Sequence, residues 1–269
     1  MLKVHDLWVR YATGDWIIKG ISFEAHQGEL IVIAGPSGSG KSTLARTIAG
    51  FIPHFYDGEV KGEVDVFGND PISMGIEKLI GLIGFFGQDP SLYTVTLNTE
   101  SEIVYPLEII GLSKEEIKRR LNYVAEALSI KHLIDRSLLE LSSGELQKVV
   151  LASLIAMDSK ILILDEPLAR LDPISVRNIS IILREIADEG KIVLVFEHHL
   201  DEILPLCDKV VVLNDGEITY YGDPKDSINH LKHIDIPEIS EVFLHIGKDF
   251  DTIPITVKEA VDKLANIVN

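Results

Sequence analysis

A chain of 269 residues with 46% hydrophobic content buries a sizeable core and has room for one large α/β domain, alone or with an appendage. Its 42 Asp and Glu against 25 Lys and Arg, a formal net charge of -17, argue against a nucleic-acid partner, because phosphate backbones are bound by clustered cations that release counterions. The single Cys207 excludes an internal disulfide framework and a cysteine-rich zinc site; it fits a reducing, intracellular compartment and is expected to pack as a small apolar residue.

In chain order, Met1 to Asp6 shows no long apolar stretch behind a basic end, so no signal peptide is expected. Val4 to Tyr11, Ile17 to Phe23 and Gly58 to Val66 are short polar-apolar alternations bounded by turn residues, the pattern of an antiparallel sheet attached to a core. Leu30 to Ala34, Ile161 to Leu164 and Ile192 to Phe196 are instead continuous apolar runs, which read as strands buried on both faces of a mainly parallel sheet. Each is four or five residues long, far short of a bilayer span, so any role at a membrane runs through a partner. Ser113-Lys114-Glu115-Glu116 opens an amphipathic helix with Ile117, Leu121, Val124, Ala125 and Leu128 on one face. Ile103 to Leu133 reads as the body of a helical subdomain at about 95–150. Beyond Gly222-Asp223-Pro224 the sheet pattern stops, and 223–269 reads as a separate, mainly helical segment broken at Pro237 and Pro254.

The run Gly35-Pro36-Ser37-Gly38-Ser39-Gly40-Lys41-Ser42-Thr43 follows the first buried strand and opens a helix through Leu44, Ile48 and Ala49. It matches G-x-x-x-x-G-K-[ST] in the strand-to-helix context that gives the pattern meaning. Its glycines let backbone N–H groups turn inward around phosphate oxygens; Lys41 is placed for the β- and γ-phosphates and the Ser42 hydroxyl for Mg2+. Nucleotide binding follows from this loop. Asp165-Glu166 ends the second buried strand, where ligands bind in open α/β sheets; Asp165 is placed to hold Mg2+ and Glu166 to orient and deprotonate an attacking water. The third strand delivers Glu197-His198-His199 to the same edge, where a histidine can contact the γ-phosphate.

Together these motifs resemble the ATP-binding cassette (ABC) family over nearly all of residues 1–222. The resemblance implies a P-loop NTPase core, an N-terminal antiparallel β subdomain, a helical signature subdomain, and a domain boundary near 222. It selects His198 as the switch histidine and Gln88, in Phe86-Gly87-Gln88-Asp89-Pro90, as the glutamine that touches Mg2+ and couples to membrane partners. Leu141-Ser142-Ser143-Gly144-Glu145 is similar to the family signature, Ala169-Arg170-Leu171-Asp172 to the loop crossing the dimer interface, and Tyr11 to the aromatic that stacks on adenine. By this likeness Ser142 and the N–H groups near Gly144 grip the γ-phosphate of ATP bound to a second cassette. Departures are present: Ser143 and Glu145 replace the usual glycine and glutamine, and His199 replaces the usual acid; Ser143 and Glu145 are expected to weaken closure at this half-site.

Two stretches narrow the branch. Gly50 to Val64 and the tail with Ile236-Pro237-Glu238-Ile239 and Pro254 to Ala260 resemble the energy-coupling-factor importers of vitamins and of cobalt or nickel ions. That likeness implies a homodimer or heterodimer with another ATPase, a transmembrane coupling protein, a separate substrate-binding membrane component, and a peripheral position on the cytoplasmic face of the membrane. A soluble cassette ATPase of DNA repair or translation shares the nucleotide chemistry, but one cassette, one cysteine and no long heptad tract count against it. A small-molecule kinase shares the loop and leaves Ser142 to Glu145 unexplained.

Overall fold

The computed structural model describes residues 1–231, 234, 236–246 and 252–268. The chain runs β1 (Leu2–Tyr11), β2 (Ile18–Ala25), β3 (Leu30–Ala34), α1 (Lys41–Ile48), α2 (Phe51–His54), β4 (Gly58–Val66) and β5 (Ile83–Phe86). It continues through α3 (Thr99–Ile109), α4 (Lys114–Ala127), α5 (Ser143–Ala156), β6 (Ile161–Asp165), α6 (Pro173–Asp188) and β7 (Ile192–Glu197). Last come β8 (Lys209–Asn214), β9 (Glu217–Gly222), α7 (Pro224–Ser227), α8 (Glu238–Ile246) and α9 (Val257–Val268).

The two sequence patterns become two sheets. The alternating strands form an antiparallel sheet in the order β2-β1-β4, and the continuous apolar runs lie inside a larger sheet in the order β5-β6-β7-β3-β8-β9, parallel except for the edge strand β9. Every residue of β3, β6 and β7 is buried. Successive side chains of these strands enter different cores because the pleat turns them to opposite faces. Leu30 and Val32 of β3 and Leu162 and Leu164 of β6 face α3, α4, α5 and α6, while Ile31, Ile33, Ile161 and Ile163 face α1 and the antiparallel sheet. Three layers result, with the parallel sheet in the middle.

Helix boundaries follow capping groups. Ser113 caps α4 as expected, its hydroxyl accepting from the Glu116 N–H at 3.2 Å. The helical layer starts earlier than Ile103, because the Asn98 side chain accepts from Ser101 N–H at 2.9 Å and caps α3 at Thr99. It also runs past the limit near 150, since α5 continues to Ala156.

The tail packs onto this body. Ile228, Leu231, Ile234, Ile236 and Ile255 are buried in the core on the helical side of the sheet. Pro237 stands directly before α8, Pro254 precedes α9, and the buried Ser240 hydroxyl donates to the Pro254 carbonyl at 2.7 Å. Asp201 accepts from the Glu238 N–H at 3.0 Å and so ties α8 to the loop after β7. Cys207 packs against the core as a small apolar group, and burial pushes its thiol pKa up. Among the described residues no helix is long and apolar enough to cross a membrane.

One backbone position carries a sharp constraint. The β1–β4 register slips between His5 and Trp8, where Asp6 has φ 44°, and Gly62 opposite it has φ 87°. A Cβ on Gly62 would stand 2.2 Å from the Asp6 carbonyl oxygen. Gly62→Ala is expected to cost about 2 kcal/mol or more, read as a lower urea midpoint at unchanged slope. A midpoint equal to wild type would show that this bulge relaxes freely.

Candidate functional site

Neighbouring strands β5, β6, β7 and β3 are all parallel, so their carboxyl ends share one edge of the sheet. At or just beyond these ends lie Gln88, Asp165-Glu166, His198 and the loop 35–43. This edge is where an open α/β sheet presents a ligand site.

The loop is wedged into place by its glycines. A Cβ on Gly35 would lie 2.4 Å from the Leu213 carbonyl oxygen and 2.5 Å from the Ser39 hydroxyl. Gly40 has φ 103°, and a Cβ there would meet the Ile18 side chain at 2.8 Å. Pro36 is half-buried, Ser37 and Gly38 are exposed, and Ser39, Lys41 and Thr43 are buried. Helix α1 begins at this loop with no side-chain cap and no acidic residue in its first turn. Its orphan N–H groups and positive dipole end therefore remain available to an anion. Lys41 is 7% exposed and its ammonium donates to the Gly35 and Pro36 carbonyls at 2.5 and 3.2 Å. Burial holds its pKa below the ordinary value, against the pull of Glu166, Asp165 and Glu197.

Asp165 is 1% exposed, and neither carboxylate oxygen has a hydrogen-bond partner. Burial pushes its pKa up, with the Ser42 hydroxyl, Arg46 and Lys41 pulling the other way. A buried carboxylate left so is costly unless a cation joins it. Orphaned carboxylate oxygens beside a serine hydroxyl are the hard oxygen donors that suit Mg2+, which takes few protein ligands and fills the rest with phosphate and water. Among the described residues no group of three or more His, Cys, Asp or Glu forms a cage that could hold a metal ion without such help.

Glu166 has φ 55°, unusual for a side-chain-bearing residue, and its N–H donates to the Phe196 carbonyl at 2.9 Å. Its carboxylate accepts from Gln88 Nε2 at 2.9 Å and lies 3.6 Å from His198 Nδ1. The structure thus brings Lys41, Gln88, Asp165, Glu166 and His198 to one edge. It also adds Glu197, a wholly buried acid with no assigned role in the sequence reading. Its carboxylate accepts from the Leu168 N–H at 2.9 Å and the His198 N–H at 3.3 Å, and burial pushes its pKa up to about 7. The available signal was a charged residue ending an otherwise apolar strand.

Other expected site residues stand apart from this edge or are held by local structure. The Tyr11 hydroxyl accepts from Arg46 of α1 at 3.2 Å, and its ring meets Tyr56 edge-on at 6.5 Å between centroids. Ser142 and Glu145 form a capping box at the start of α5: Ser142 N–H donates to the Glu145 carboxylate at 2.8 Å and Glu145 N–H to the Ser142 hydroxyl at 3.3 Å. These bonds hold the Glu145 carboxyl below its usual range. Ser143 is exposed, and a Cβ on Gly144 would lie 3.0 Å from the Arg170 carbonyl, so the start of α5 abuts Ala169–Asp172 of the same chain. Asp172 caps α6 by accepting from the Ser175 N–H at 3.0 Å and hydroxyl at 2.5 Å. Among the described residues no hydrogen bond or ion pair joins Ser142–Glu145 to the loop 35–43.

Comparison with known proteins gives a consistent assignment. A family model described as ABC transporter matches residues 18–169. A protein of Treponema denticola, named as an ABC transporter ATP-binding protein, is 37% identical over 219 residues, 81% of this chain and 45% of its own length. A Saccharolobus solfataricus protein of the same description is 36% identical over 220 residues, 81% of this chain and 41% of its own. The chain thus spans less than half the length of these curated relatives. The structure of cbiO1 from Clostridium perfringens, described as part of the ABC transporter complex cbiONQ, superposes with a TM-score of 0.75 at 30% identity, covering 91% of this chain and 95% of that one. An ATP-binding cassette solved as a dimer bound to ADP and Pi shares the fold at 24% identity and a TM-score of 0.74, over 84% of this chain and 99% of that one. The chain belongs to the ABC transporter family and has the P-loop α/β fold of its ATP-binding cassettes.

Proposed function

We propose that this chain is the ATP-hydrolysing subunit of an ABC importer, with residues 1–222 as the cassette and 223–269 as an appended segment with a part in dimerisation. The observation that carries the reading is the shared sheet edge, where an uncapped helix N-terminus and Lys41 lie beside a buried, unpaired Asp165 and a Glu166 held by Gln88 and near His198. Anion site, cation site and base are what phosphoryl transfer to water requires.

In this reading the N–H groups of residues 35–43 and Lys41 bind the β- and γ-phosphates, and Tyr11 stacks on adenine. Ser42 and Asp165, with Gln88 beside them, would hold Mg2+, which when bound would supply neutralisation of charge on the phosphate oxygens. Glu166 takes a proton from the attacking water, and His198 contacts the γ-phosphate and registers its loss. The signature surface of Ser142, Ser143 and Gly144, with Asp172 alongside, faces a second cassette and closes over that cassette's ATP. The capping box uses the N–H groups of Ser142 and Glu145 and leaves those of Ser143 and Gly144 without intrahelical acceptors, so they are free for an anion. Glu145 spends its charge within the cap, which reduces the repulsion expected from its replacing glutamine.

Support for a membrane partner comes from the surface after Gln88. Leu92, Val95 and Leu97 are 78, 67 and 73% exposed, an apolar surface next to the loop whose Gln88 is bonded to Glu166. The likeness to cbiO1 supports membership of an ABC transporter complex. The resemblance of Gly50 to Val64 and of the tail to energy-coupling-factor importers is what favours uptake of a vitamin or transition-metal ion through a separate coupling protein and substrate-binding component, with this chain on the cytoplasmic face of the membrane.

Phosphate release and light scattering, measured across protein concentration with Mg2+, test the core of this reading. Wild type is expected to hydrolyse ATP at a per-chain rate that rises with concentration. Glu166→Gln is expected to lose about 10²–10⁴-fold in kcat while forming an ATP-trapped dimer. Hydrolysis by Glu166→Gln at the wild-type rate would remove Glu166 as the base. For the signature helix, Glu145→Gln is expected to leave stability within about 0.3 kcal/mol and Glu145→Ala to cost about 1 kcal/mol by denaturation, because only glutamine rebuilds the capping box.

A further inference from the structure

Two buried polar side chains grip one peptide group. The Pro167 carbonyl accepts from Gln147 Nε2 at 2.6 Å, and the Leu168 N–H of the same peptide donates to Glu197 Oε1 at 2.9 Å. Gln147 is 2% exposed and lies on α5, and Glu197 is fully buried at the end of β7. The second Glu197 oxygen accepts from the His198 N–H at 3.3 Å. The gripped peptide begins directly after Glu166, whose own N–H is tied to the Phe196 carbonyl at 2.9 Å. Pro167 has no N–H, so the Leu168 N–H is the first free donor beyond Glu166 by which the turn can be fixed.

We propose that Glu197 and Gln147 are positioning residues for hydrolysis: they clamp the Pro167–Leu168 peptide from opposite ends, joining the helix that starts at Ser142 to the strand that carries His198, and so fix the direction of Glu166. The proposal rests on the reading of Glu166 as the base. Neither clamp residue needs to touch nucleotide. A buried carboxylate held mainly by backbone donors, with His198 Nδ1 3.9 Å away, is expensive to keep, and its replacement by an apolar group would leave the Leu168 and His198 N–H groups without that acceptor. The groups facing Glu197 are Glu166 from the end of β6, Lys41 from α1 and the adjoining His198. Glu197 therefore transmits to this edge any shift of α5 that the Gln147 bond carries.

The test compares the full wild-type chain with Glu197→Gln and Gln147→Met. Glutamine keeps the shape of Glu197 but offers one acceptor oxygen, so it cannot serve the Leu168 and His198 donors from two oxygens as before. Each variant is expected to lose roughly 10–10²-fold in kcat with KM for ATP within about twofold, since the loop 35–43 is untouched. The double variant is expected to lose less than the product of the single losses, because both residues hold one peptide. Unchanged kcat in either folded variant, or a rise in KM matching the fall in kcat, overturns the proposal. Hydrogen exchange of the Leu168 amide decides the clamp without reference to activity: it is expected to speed up about tenfold or more in Glu197→Gln. Equal exchange rates overturn the clamp. A wild type that does not hydrolyse ATP either alone or with a partner cassette added, while the exchange difference persists, refutes the ATPase reading and leaves the clamp established. If Glu197→Gln does not fold, Gln147→Met decides by the same kinetic criterion.

Discussion

Strands β3, β6 and β7 are buried along their whole length, with alternate side chains entering different cores, so they cannot hold an unpartnered polar group midway without a large desolvation cost. Chemistry is thereby pushed to the strand ends. Because these strands are parallel, the ends that matter fall on the same side, and residues far apart in sequence arrive within bonding reach. Gln88 and Glu166 are joined at 2.9 Å, and Glu166 and His198 stand 3.6 Å apart. The dry sheet supplies rigidity in return, since alternating Leu, Ile and Val pack both faces against separate layers.

Helix capping sorts the ends of helices by use. Asn98, Ser113, Ser142 and Asp172 cap α3, α4, α5 and α6 with their own side chains, satisfying N–H groups within the chain. Helix α1 is different: Gly40 stands at its cap position and contributes no side chain. The same physical need is met internally at these four helices and left open at α1, behind the loop 35–43, and at the one-turn α2 behind Gly50. At α5 the capping box engages only part of the first turn.

Much of this was legible in the residues. Continuous apolar runs marked the buried parallel strands, alternation marked the antiparallel sheet, and Ser113 marked the start of α4. The edge carrying Lys41, Asp165, Glu166 and His198 followed from motif order. Other features were hidden for physical reasons. Strand β5 is short and interrupted by Gly84, where a Cβ would meet Leu154 and Leu162 at 2.8 and 2.9 Å, so its glycine reports close packing that no local pattern shows. Gln147 and Glu197 look like ordinary polar residues because their burial depends on α5 and β7 meeting across the Pro167–Leu168 peptide. The prolines of the tail showed where helices break, but Ile228, Leu231 and Ile255 reveal their partners only in three dimensions.

The open N-terminus of α1 also makes a bound phosphate part of the secondary structure. An anion bound there would stand where a side-chain oxygen stands in α4 or α6 and would complete the helix from outside the chain. Folding and occupancy are then linked equilibria: a ligand at about 100 times its Kd adds about 2.7 kcal/mol to the native state if it ignores the unfolded one. Under the proposed nucleotide binding, the energy charge of the surroundings would become a term in how firmly this protein holds its own shape.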